Sequence, residues 1–294
     1  MKLIVLITAQ AARLKQAGVS FGHGTTNAFD EAAWLALWSL GLDMGALEFQ
    51  AQRELTAAEI DKAEALVGQR ITSRRPAAYL TNEAWLQNVP FFVDERAIVP
   101  RSFIAELLAD GEGSGELDTW LSDKTHRVLD LCTGNGSLAI IAAMAYPEIT
   151  VDATDISDDA LAVARINVDK HAMGARISVL KSDLFADLKG AYDLIVCNPP
   201  YVNSQSMAAL PPEYQHEPAM ALAGGEDGMD LVRRIVQDAA AHLTDIGVLL
   251  LEIGNERAHF EHAFRKLEVV WLETSAGDDQ VLLVTRDALL RWAG

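Results

Sequence analysis

Long apolar runs, a cysteine framework and basic patches are what this sequence of 294 residues does without. No uninterrupted apolar stretch approaches the roughly 20 residues that a membrane span needs. The opening Met1-Lys2-Leu3-Ile4-Val5-Leu6-Ile7 imitates a signal peptide, but its apolar part is short. No small-residue cleavage site follows, and Arg13 and Lys15 come soon after, so the segment reads as a first amphipathic helix. The two cysteines, Cys132 and Cys197, argue against a disulfide framework or a metal site and suit a reducing cytoplasm. Basic residues number 24 against 42 acidic ones, a net charge of -18. A domain that wraps duplex DNA or structured RNA carries the opposite bulk footprint, so direct nucleic-acid binding is not expected. There is no internal repeat and no low-complexity tract. What the chain has is core: half of its residues are apolar, which argues against disorder.

Two blocks follow from the pattern. Residues 1–108 predict helices around Ile4–Gln16, Ala28–Leu40 and Thr56–Val67. The second carries Phe29, Ala32, Ala33, Ala36, Leu37 and Leu40 on one stripe, preceded by a glycine-rich loop, Phe21 to Asn27. Short strands are expected at Trp85–Gln87, Phe91–Val93 and Ala97–Val99, then a helix from Phe103. The Gly-, Ser- and acid-rich start of 109–126 predicts a linker or exposed loop. The second block is residues 109–294; from Arg127 onward strands and helices alternate, which implies a parallel, doubly wound α/β sheet. Two final strands, Glu268–Glu273 and Gln280–Thr285, are expected to close one edge as a hairpin.

Chemistry gathers at strand ends of the second block. Val128-Leu129-Asp130-Leu131-Cys132-Thr133-Gly134-Asn135-Gly136-Ser137 is a buried strand, a glycine turn and a helix start. Such turns let a ligand approach the backbone. Ala139 completes the spacing of a dinucleotide fingerprint, so spacing alone leaves that reading open. Asp130 at its head repels a pyrophosphate and favours an amino-bearing ligand. Asp155 ends the next strand, placed to accept ribose hydroxyls or to cap a helix, a task open also to Ser157. Asp183, followed by Leu184 and Phe185, ends the third, suited to an adenine amino group and its ring or to a plain turn. Together these acids describe a nucleoside carrying an amino acid and a positive centre. A fourth strand stops at Asn198-Pro199-Pro200-Tyr201, because successive prolines donate nothing to a ladder. The carbonyls of Asn198 and Pro199 then face a ligand, the Asn198 amide adds an acceptor and donors, and Tyr201 a flat wall. That set suits a planar NH2 group.

These motifs resemble class I methyltransferases that use S-adenosylmethionine, in the Asn-Pro-Pro-Tyr form shared by enzymes acting on adenine, guanine or glutamine NH2 groups. Phe91–Val93 through Val99-Pro100-Arg101-Ser102 resembles the HemK-type protein glutamine N5-methyltransferases. Phe21–Thr25 with Asp30–Ala32, Arg75–Leu80, Asp130–Gly134 and Glu213–Pro218 resemble the branch that modifies a large-subunit ribosomal protein. Cys132 stands where the release-factor branch has glycine.

The resemblance implies a Rossmann-like, mostly parallel seven-stranded sheet behind a small helical substrate-recognition domain. It implies S-adenosylmethionine as cofactor, a basic ribosomal protein as partner, and methyl transfer to glutamine N5. RNA or DNA amino-group methylation and release-factor methylation are the alternatives. Asn198, Pro199, Pro200 and Tyr201 are the expected catalytic residues. Asp130, Thr133, Gly134, Asn135, Gly136, Asp155, Ile156, Asp183, Leu184, Asn198 and Arg101 are expected at the cofactor. Arg101 has Glu106 as an alternative partner. His23 and His216 are expected in substrate loops or in solvated ones, and Glu217–Leu222 with Gly224-Gly225 in a loop covering the site.

Overall fold

The computed structural model describes residues 1–109 and 115–294. Most of the Gly- and Ser-rich stretch expected as a linker lies outside the described residues. Beyond it, Glu116–Thr119 form one 3₁₀ turn.

Three long helices, Leu3–Gln16, Ala28–Ser39 and Ala57–Ser73, build most of the N-terminal block, with shorter ones at Leu47–Gln50 and Ala77–Thr81. The second starts where Asn27 accepts the N–H groups of Phe29 and Asp30. The third begins with a capping box between Thr56 and Glu59 and runs past Val67 and Gly68 until Arg74 turns left-handed at φ 60°. Their apolar stripes close on Leu3, Leu6, Leu35, Leu37 and Val67. A hairpin follows, β1 (Ala84–Leu86) and β2 (Val89–Phe91). Gln87 and Asn88 both take positive φ between them, the signature of a two-residue turn matching strand twist. The strand expected at Ala97–Val99 does not form. The Val99 N–H is spent on the Glu217 carboxylate at 3.0 Å instead of a neighbouring strand.

The second block is one seven-stranded sheet. Its strands are β3 (Arg127–Leu131), β4 (Thr150–Asp155), β5 (Ile177–Lys181), β6 (Tyr192–Cys197), β7 (Leu243–Glu252), β8 (Val270–Thr274) and β9 (Gly277–Thr285). The order is β5-β4-β3-β6-β7-β9-β8. β3 to β7 run parallel, while β9 lies antiparallel between β7 and β8, so β8 is the edge. Alternate residues feed two cores. Val128, Leu194 and Val196 face Ile104, Leu108 and Ile140, while Leu129, Ile195 and Leu251 face Val232, Ile235 and Phe260. The helix Ile104–Ala109 thus packs with the sheet although it precedes the linker. A last helix, Arg286–Ala293, capped by Thr285, continues β9. The order of strand connection reverses between β3 and β6, and a crevice opens above their carboxyl ends.

Candidate active site

A cavity of about 630 Å³ fills that crevice. Its floor is the glycine turn. Cys132, Gly134 and Gly136 take φ of 62°, 55° and 82°, alternating with ordinary residues so that the chain coils tightly. Gly134 lines the cavity. Gly136 does not. A Cβ there would stand 3.3 Å from the Ala164 Cβ, so its bareness lets the turn sit on the helix Asp158–Lys170. Asp130 lies beneath, fully buried. One oxygen accepts the Thr133 hydroxyl and the Ala139 N–H, while Oδ1 has no partner. Burial pushes this carboxyl up to about 7 against those stabilising bonds. Thr133 and Asn135 line the wall. The Asn135 Oδ1 accepts the Ser137 N–H at 3.2 Å, and its Nδ2 is buried without a partner.

Asp155 bridges two elements. It accepts the Gly134 N–H at 3.0 Å and the Ser157 N–H at 2.9 Å. Ser157 caps the following helix through the Ala160 N–H, which leaves Asp155 on the cavity wall. Burial raises its carboxyl, and the backbone bonds work the other way. Ile156, half exposed, and Leu184, left-handed at φ 51°, are further wall residues. Asp183 reaches the cavity paired to Arg234 at 2.9 Å. Both are about half exposed, so this bond is weak and exchangeable. Phe185 turns inward and stacks on His242, away from the cavity.

β6 gives its last pair at Cys197–Leu251, and the chain then stops pairing. Asn198, Pro199, Pro200 and Tyr201 all line the cavity. No group among the described residues hydrogen-bonds the Asn198 side chain, and no backbone N–H reaches the Asn198 or Pro199 carbonyl. Tyr201 is locked. Its hydroxyl donates to Glu252 Oε1 at 3.2 Å, and a Cβ on Gly254 would stand 2.5 Å from its ring. Glu252 Oε2 accepts the Ser102 hydroxyl at 2.6 Å and the Phe103 N–H at 2.9 Å. Sequence reasoning passed over Glu252 and Gly254 and gave Ser102 no role beyond its place in the resemblance. The signal was there in Leu249-Leu250-Leu251-Glu252-Ile253-Gly254, an acid and a glycine ending an otherwise apolar strand.

Three expectations change. Arg101 borders the cavity, but its terminal nitrogens grip Glu217 at 2.6 and 2.7 Å, while Glu106 binds Ser275. His23 is no solvated loop residue. It is 1% exposed, with Nε2 at 3.3 Å from Glu217 and its ring 4.2 Å from that of Tyr214. His216 is half-buried and outside the cavity lining. Of the covering loop, Pro218, Met220, Ala221 and Leu222 reach the wall.

The cavity fits S-adenosylmethionine. A bare Gly134 cradle, the unpartnered Asn135 amide nitrogen, and acids at the ends of β4 and β5 match a ligand with hydroxyls, amines and a positive centre. Asp130, expected at the cofactor, lies outside the cavity lining and holds the turn from beneath. Fold and site define a class I methyltransferase. The profile of the Methyltransferase small domain matches residues 112–210, and that of the PrmC N-terminal domain residues 6–81. Among similar proteins are three ribosomal protein uL3 glutamine methyltransferases. That of Burkholderia pseudomallei is 52% identical over 98% of this chain and 96% of its own. Those of Bordetella pertussis and Neisseria gonorrhoeae are 51% and 48% identical, over 97% and 95% of this chain and 95% and 92% of theirs. The chain belongs to the family of ribosomal protein uL3 glutamine methyltransferases.

Proposed function

We propose that this enzyme methylates the side-chain amide N5 of a glutamine in ribosomal protein uL3, in the cytoplasm, with residues 1–108 serving recognition and 109–294 catalysis. The observation that carries the reading is the unclaimed Asn198 amide beside the carbonyls of Asn198 and Pro199, on the wall of the cavity that holds Gly134 and Asp155. The cofactor is S-adenosylmethionine, which supplies an electrophilic methyl group on a sulfonium. Gly134, Asp155 and Asp183 would hold it, with Asp183 exchanging its exposed bond to Arg234. Among the described residues no helix is long and apolar enough to cross a membrane.

An amide nitrogen is a poor nucleophile because its lone pair is delocalised. The Asn198 Oδ1 and the Pro199 carbonyl accept the two N–H bonds of the glutamine amide, fix its orientation and stabilise positive charge growing on nitrogen. Tyr201, immobilised by Glu252 and Gly254, walls the amide plane. No general base is needed, because an N-protonated amide sheds its proton to water.

Asn198→Ala should lower kcat by at least about a thousandfold, since it removes a bond made to developing charge. Binding of S-adenosylhomocysteine by calorimetry should stay within about threefold, a change under 1 kcal/mol. Near-normal kcat would refute the mechanism. Labelled S-adenosylmethionine offered with ribosomal proteins, and separately with rRNA, tests the substrate. Label confined to RNA would refute it. Mass spectrometry of ribosomal proteins from cells lacking the enzyme should show uL3 lighter by one methyl group.

A further inference from the structure

The wall opposite the glycine turn has an unusual anchorage. Residues 210–222 supply Leu210, Tyr214, Pro218, Met220, Ala221 and Leu222 to the cavity. Yet from Leu210 to Ala221 the only buried residues are two carboxylates, Glu213 and Glu217. No apolar side chain of this stretch is fully buried before Leu222, which is 5% exposed. Every side-chain partner of the two carboxylates comes from the N-terminal block. Glu213 accepts the Ser20 N–H at 3.2 Å and faces Arg70 at 3.4 Å and Arg74 at 2.8 Å. Glu217 accepts the Val99 N–H and both terminal nitrogens of Arg101, with the His23 Nε2 at 3.3 Å. Arg70 is itself held by Glu31 at 2.8 Å and by the Ser20 carbonyl at 2.9 Å. Between the anchors Tyr214 lies on His23 and under Arg101, with its hydroxyl in the space left by bare Gly22.

We propose that Glu213 and Glu217 are positioning residues through which the N-terminal helices set the wall of the glutamine subsite. The inference rests on the methyltransfer reading and gives the N-terminal block a second task. It captures the substrate, and it also fixes the geometry in which the amide meets Asn198. A segment held by apolar packing would keep its place without its neighbours. A segment held by two buried ion pairs loses its place when either charge is removed, because the partners left behind are buried and unpaired. The carboxyl of Glu217 is held down at about 2: burial opposes its ionisation, and Arg101 and His23 outweigh that. It therefore remains charged throughout the working pH range.

The test uses the whole chain with Glu213→Gln and Glu217→Gln, which keep the volume and drop the charge. Glu217→Asp serves as a milder variant that keeps the charge and shortens the reach. Amide hydrogen exchange should show peptides within 210–222 losing protection by at least about tenfold in both Gln variants and less in the Asp variant. Strands β3 and β4 and the affinity for S-adenosylhomocysteine should be unchanged. With a short peptide spanning the methylated glutamine, mapped beforehand by mass spectrometry, kcat should fall at least about tenfold, as it should with whole uL3. Unchanged protection of 210–222 would overturn the proposal. So would kcat lost on whole uL3 but retained on the short peptide, since the N-terminal block would then act by capture alone. Should wild-type enzyme fail to methylate uL3, the substrate reading falls, whereas the exchange experiment still judges the anchorage.

Discussion

Asp130 has one oxygen bonded and one bare, in a place no water reaches. Its position at the head of a glycine turn is plain in the sequence, whereas its burial beneath that turn depends on Ala139 and Thr133 folding over it. The consequence is a pH dependence with a definite sign. The folded carboxyl titrates at about 7 against an ordinary 3.8. Between about pH 4 and about pH 7 the unfolded chain ionises Asp130 and the folded chain does not. This residue's share of stability is thus full below about pH 4 and is lost as pH rises to about 7, a span on the order of 4 kcal/mol. Asp130→Asn keeps an acceptor for the turn and abolishes the titration. The difference in melting temperature, wild type minus variant, should be largest near about pH 4 and shrink by about pH 7.5. A difference independent of pH would refute the assignment. Tyr201→Phe tests the neighbouring lock. It strips the Glu252 Oε1 of its bond within a buried site and should cost about 1–3 kcal/mol in urea unfolding.

At the scale of elements, strands and turns divide by the range of the forces that make them. β3, β4 and β6 each run into residues that carry chemistry, so their ends and their acids are legible residue by residue. The same holds for the helix after Asn27 and for the capping box at Thr56, since both are local bonds. Ala97–Val99 looked like a strand because its apolar residues do enter a core. What decides its shape is a carboxylate 118 residues away. Arg101 was likewise assigned to the cofactor or Glu106, and no periodicity foretells a partner 116 residues distant. The turn around Tyr201 also depends on distant bareness. A Cβ at Gly224 would lie 2.7 Å from the Tyr201 Cα, and one at Gly254 2.5 Å from its ring. Gly254→Ala also meets a φ of 53°, so backbone strain adds to the clash. The variant should lose at least about tenfold in kcat, because a displacement of roughly 1 Å at the amide wall is costly. Retained S-adenosylhomocysteine binding would separate that displacement from unfolding. Unchanged kcat would show that the ring's position does not matter.

For the molecule as a whole, the excess acid is unevenly shared. Residues 1–108 hold 10 basic and 12 acidic side chains and are nearly neutral. Almost all of the net charge of -18 therefore belongs to the block that carries the cavity. A ribosomal protein must lie against the phosphates of rRNA and carries positive charge for that purpose. On the proposed function, long-range attraction would draw the substrate toward the catalytic block, and close contacts of the helical block would sort it. Screening should separate the two. Raising ionic strength from about 0.05 M to about 0.5 M shortens the reach of surface charge from over 10 Å to about 4 Å. KM for uL3 should rise several-fold while kcat holds, because the buried anchors at Glu213 and Glu217 are screened far less. Replacing exposed Asp158, Asp159 and Glu226 by lysine should slow association at low salt and have little effect at high salt. Association equally fast in that variant at low salt would mean that the acidity of the catalytic block serves solubility alone.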